Sequence, residues 1–70
     1  MDINREVLLR SLIDRYNNAC TQKREYDRLR DMYAINRDEY WAEYFRILSN
    51  AEEKVINYLS DTINNMRGVV

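Results

Sequence analysis

From Asn36 to Met66 the chain returns an apolar or aromatic side chain at alternating three- and four-residue steps. The series is Trp41, Phe45, Leu48, Val55, Leu59, Thr62 and Met66, with Glu52 as its one charged interruption. At about 100° per residue these positions share one arc, so the spacing predicts a single long amphipathic helix. Asn36 is placed to cap it. Glu39 follows three residues on, close to a capping box, and Asp38 and Glu39 put negative charge at the positive end of the helix dipole. Gly68 lies just past the last apolar position, where a C-terminal glycine belongs. The arc is wide. Tyr40, Tyr44, Ile47 and Tyr58 extend it on one side, and Ile56 and Ile63 on the other. One neighbouring helix does not need that much surface, so this segment calls for two.

The first half is less regular. Ile3 to Tyr16 reads as an amphipathic helix capped by Asp2 or Asn4, with Val7, Leu8, Leu9, Leu12, Ile13 and Tyr16 on a broad face and a Glu6–Arg10–Asp14 ladder opposite. Residues 17–28 are poor in apolar groups, and asparagine pairs weaken helices. Tyr26, Leu29 and Tyr33 then resume a helical pattern, on a stripe rotated by about 100° from the first. This predicts a first helix kinked or stuttered near 17–21, or two helices with Thr21 as a second cap. Residues 33–37 form the turn.

Folding the chain about position 36 sets the apolar 3–16 against the apolar 56–69 and the aromatic 26–35 against 37–46. The two polar segments then coincide, with Ala19, Cys20 and Ala51 as the small residues of a waist. The expected fold is all-α: one domain over residues 1–70, a hairpin of two long antiparallel helices. A rival reading splits the second helix at a Ser49 or Asn50 capping box, but the apolar arc does not rotate there. A lone hairpin of this size is marginal. Its wide second arc predicts pairing into a four-helix bundle, most simply as a homodimer.

Composition agrees. There is no Pro, one Gly and a third of the residues are charged, while sheet folds need turn punctuation this chain lacks. The net charge of −1 gives no general attraction to nucleic acid or acidic membranes. No apolar run approaches the roughly 20 residues of a membrane span. The start of the chain does not read as a signal peptide, and a single Cys permits no intrachain disulfide, so a cytoplasmic setting is expected.

Candidate chemistry is sparse. The absence of histidine removes the usual general base and a common metal ligand. Cys20 has no base beside it and reads as a buried waist residue. Glu39 and Glu43, and Asp27 and Asp31, are each one turn apart. They are read as solvated, arginine-paired acids, since the di-iron bundle pattern is missing. No phosphate loop or nucleophile motif is present. The expectation is a non-enzymatic protein without metal or cofactor.

Six Tyr and one Trp are many for so small a core. Such rings favour interfaces, because each joins a large apolar area to a polar tip. The expected protein-binding residues are Tyr26, Tyr33, Tyr40, Tyr44, Ile47 and Tyr58. They would serve an adaptor, an inhibitor or a chaperone-like cofactor of a larger protein, a size class common among phage and mobile-element regulators. The alternative is an RNA- or DNA-binding hairpin dimer using Lys23, Arg24, Arg28 and Arg30 with the adjacent tyrosines. Glu25, Asp27 and Asp31 dilute that segment.

Overall fold

The computed structural model describes residues 2–68, with the side chains of Asp2 and Ile3 left aside. It holds two helices, α1 (Asp2–Ile35) and α2 (Glu39–Gly68), packed antiparallel along their length. The molecule is a rod 53 Å long and 14 Å by 12 Å across. An unbroken helix of 34 residues spans about 51 Å at 1.5 Å per residue. α1 is therefore one helix: of the two readings of residues 17–21 the continuous one holds, and the division at Thr21 does not occur. Thr21 caps nothing; its hydroxyl donates back to the Asn17 carbonyl at 3.1 Å. Asn4 likewise lies inside α1. α2 also runs without a break, so neither Ser49 nor Asn50 starts a helix.

The rotation of the apolar stripe has another cause. Buried and half-buried positions of α1 include Leu9, Leu12, Tyr16, Ala19, Lys23, Tyr26, Arg30 and Tyr33, at strictly alternating three- and four-residue steps. That is a 3.5-residue repeat, which drifts about 20° per heptad around a straight helix. Two of its places carry Lys23 and Arg30, and these charges hide the repeat in the hydrophobic pattern. α2 answers with Ala42, Phe45, Ser49, Glu52, Ile56, Leu59, Ile63 and Met66, again at alternating steps. This seam lies about one position round from the predicted arc. Ala42, Ser49, Ile56 and Ile63 replace Trp41, Leu48, Val55 and Thr62 as its members, and Trp41 and Val55 are left exposed.

The core is small: Ala19, Leu59 and Ile63 are its buried apolar residues among those described, joined by Ser49 at 2% exposure. The waist exists but is made differently than expected. Ala19 is buried, Cys20 is half-buried, Ala51 faces solvent, and Ser49 takes the close-approach position. Cross-helix partners such as Tyr26–Phe45, Asp27–Ser49 and Arg5–Met66 fall within about one helical turn of the register expected from folding at 36.

The turn differs from the sequence expectation in its cap. Arg37 N–H donates to the Ala34 carbonyl at 3.1 Å and Asp38 N–H to the Tyr33 carbonyl at 2.9 Å. This pair of bonds is a Schellman motif, with Arg37 in the left-handed conformation at φ 61°. Asn36 thus closes α1 and does not open α2. The N-cap is Asp38: its carbonyl accepts from Ala42 N–H at 3.0 Å, and its Oδ1 from Trp41 N–H at 3.4 Å. Gly68 is the last residue of α2 and has no left-handed φ. A guanidinium of α1 serves that end, as Arg5 Nη2 donates to the Met66 carbonyl.

Candidate protein-binding face

The ring system begins inside the hairpin and ends outside it. Tyr33 stacks on Phe45, with ring centres 5.7 Å apart and planes 11° from parallel. Tyr26 meets the same Phe45 ring at 6.2 Å, tilted by 32°. On the outer side of α2, Trp41 stands edge-on between Tyr40 at 5.2 Å and Tyr44 at 5.3 Å, and Tyr44 meets Phe45 edge-on at 5.3 Å. Edge-to-face and offset pairs at these separations are attractive, so the surface rings are held by those beneath them.

The six candidate interface residues therefore divide. Tyr26 and Tyr33 are half-buried between the helices and serve the seam. Tyr40, Tyr44, Ile47 and Tyr58 are exposed, Tyr40 at 73% and Tyr58 at 71%. Trp41 at 43% and Val55 at 45% join them, although their spacing alone assigns both to the core. Together with Ala51 they form a second stripe along α2. Trp41, Tyr44, Leu48, Ala51, Val55 and Tyr58 recur at steps of three and four, with Tyr40 and Ile47 widening the band. At about 100° per residue this stripe lies about a quarter-turn from the seam with α1. Its signal is present in the sequence, merged with the seam into one wide arc. Beside it runs a groove between the helices, whose α1 wall is polar: Arg15, Asn18 and Gln22 face Val55 and Tyr58.

The basic segment on α1 is neutralised within the chain. Lys23 Nζ lies 2.9 Å from Asp27 Oδ2. Arg30 reaches Asp27 at 3.3 Å and Asp31 at 3.1 Å. Arg28 grips Glu25 with two donors, and the same bonds hold the Glu25 carboxyl below its usual pKa and push Arg28 up. Only Arg24 of the four candidates is exposed and without an ion pair to a described residue. Asp27 is the centre of the node. Its carboxyl accepts from the Ser49 hydroxyl across the seam and from Lys23, and these bonds hold it below the ordinary aspartate value against the opposing effect of burial. Arg46 likewise pairs with Glu43, lowering the acid and raising the base, by hydrogen bonding first and charge second.

Among the described residues no group of three acids and thiols converges on a point where a metal ion could sit. Glu6, Arg10 and Asp14 are exposed and make no ion-pair ladder. Among the described residues no helix is long and apolar enough to cross a membrane. No protein-family model, no curated protein and no solved structure matches the chain.

Proposed function

We propose that this protein is a non-catalytic interaction module that binds another protein chain through the outer face of α2, as an adaptor, inhibitor or chaperone-like cofactor does. The exposed stripe carries the reading: an amphipathic helix normally presents one apolar stripe to one neighbour, and α2 has a second stripe with no neighbour. Contiguous apolar surface of this kind marks interaction sites, and Tyr and Trp are enriched where binding energy concentrates. The Lys23–Arg30 segment supports nucleic-acid binding less well, because carboxylates already occupy three of its four cations. Replacing both Tyr40 and Tyr58 by Ala tests the reading. The variant should keep its helical circular dichroism and lose a partner captured by the unmodified protein. A partner retained by the variant would sink the idea, and unfolding would show that the two rings belong to the core.

A further inference from the structure

We infer that the occupant of the outer α2 stripe is a second copy of this chain, its α2 lying antiparallel to the first across a twofold axis near residues 49 and 50. The inference rests on the reading of that stripe as a protein-binding face and names what binds there.

Three observations converge. The first is area. A compact folded protein of this mass exposes about 4,700 Å² by the usual surface scaling, whereas the hairpin exposes 5694 Å². The excess of about 1,000 Å² matches the roughly 800 Å² that each partner contributes to a standard interface. With three buried apolar residues among those described, the hairpin needs such cover. The second is shape. In an antiparallel register, Trp41 meets Tyr58 of the second copy, ring beside ring, while Tyr44 meets Val55 and Leu48 meets the small Ala51, so the two inner layers set a larger side chain against a smaller one. The stripe is complementary to itself only when reversed, as a twofold interface requires. The third is charge. Side chains on the same flank face each other in an antiparallel pair, and this register brings Lys54 within one turn of Glu43 of the second copy, an exposed carboxylate whose partner in its own chain is Arg46. The contact occurs twice. The pairing runs through α2, because the adjoining wall of α1 is the polar Arg15, Asn18 and Gln22.

The test is sedimentation velocity with the full chain at micromolar concentration. The unmodified protein should sediment as a dimer; a monomer with intact helicity overturns the inference. In that event, partner capture that is lost in the Tyr40→Ala, Tyr58→Ala variant would leave the protein-binding reading standing. Ala51→Arg puts a long cation at an exposed helical site and at the centre of the proposed seam. It should weaken dimerisation by about a hundredfold, since like charges facing each other across an interface cost several kcal/mol. Because a lone hairpin can fail to fold, a second pair of variants tests the register independently. Glu43→Lys and Lys54→Glu should each weaken self-association by about tenfold, at exposed-pair strengths counted twice. An equimolar mixture of the two should restore it, because only the mixed dimer sets opposite charges across both contacts. A mixture no tighter than its components excludes the antiparallel register.

Discussion

Along α1, the seam positions Lys23 and Arg30 are charged and Val7 and Leu8 face solvent; along α2, Leu59 and Ile63 are in the core and a second apolar stripe lies outside. The two helices are nearly equal in length and share one interface, yet they meet it by different means. α1 contributes the buried Ala19, half-buried aliphatic residues such as Leu9, Leu12 and Leu29, a few half-buried rings and a node of ions around Asp27. α2 contributes most of the buried apolar volume and still has a face to spare. The contrast separates two jobs that hydrophobicity alone does not distinguish: being packed in this hairpin, and being available to another chain. α1 uses its periodic positions to fit α2, with charge tolerated where Asp27 can answer it. α2 carries two stripes about a quarter-turn apart, and only one of them is used by α1.

The sharpest way to break the contrast is to cut into the α2 side of the core. Leu59→Ala removes a nearly buried side chain, and such truncations cost about 2–4 kcal/mol. In a domain of this size that lowers the melting temperature by about 10 °C or more. Val7→Ala, at an α1 residue that is 60% exposed, should change stability by less than about 0.5 kcal/mol. Thermal melts of the two variants beside the parent decide the matter. Equal losses would mean that α1 and α2 share the apolar burden, and the asymmetry between them would not exist.

This asymmetry also explains which features can be read from the sequence. The hairpin, its two long helices and its approximate register are legible, because apolar periodicity and the two polar waists are properties of the chain itself. The continuity of α1 is obscured, because Lys23 and Arg30 occupy seam places that only a partner carboxylate on a neighbouring turn makes tolerable. The inward face of α2 is blurred as well. Trp41 and Val55 belong to the outer stripe, and an arc that merges them with the seam cannot say which edge α1 will take. The turn is hard to read for a different reason. Asn36 and Asp38 are both good caps, and the choice between them is made by Arg37 adopting a glycine-like φ, which its identity gives no reason to expect. Of the six candidate interface residues, four lie on the outer stripe, and the two on α1, Tyr26 and Tyr33, are seam rings.

The junction between the helices supplies two smaller tests. Asp38→Ala deletes the side-chain acceptor at the start of α2, and losing such a cap typically costs about 1 kcal/mol. Arg37→Gly should act in the opposite direction. A left-handed residue with a Cβ is disfavoured by about 1–2 kcal/mol, and glycine occupies that region freely while losing more chain entropy on folding, so the net gain should be about 0.5–1 kcal/mol. Urea midpoints measure both. If Arg37→Gly destabilises, the left-handed conformation of that residue is not what joins α1 to α2.

The smallest effect is expected at the ionic node that α1 offers in place of apolar contact. The Asp27 carboxyl is held below its ordinary pKa, first by the Ser49 hydroxyl of α2 and then by Lys23. A depressed pKa in the folded chain means that protonation opposes folding. The stabilisation is fully present above the unfolded aspartate value of about 3.9, and it is lost as the pH falls through the lower folded value. Asp27→Asn keeps an acceptor for Ser49 but carries no proton to gain. Its melting temperature should lie a little below that of the parent at neutral pH, and the gap should shrink as the pH falls below the unfolded aspartate value and through the lower folded one. Glu25 and Glu43 also titrate in acid, but they do so in both proteins, so the difference between the two melting curves isolates Asp27. Because Asp27 is more than a quarter exposed, water screens the node and the gap should be only a few degrees. A gap independent of pH would mean that the carboxylate charge contributes nothing to the seam. The contribution of α1 would then rest on Ala19 and its half-buried leucines and rings, and its two charged seam positions would be tolerated without being used.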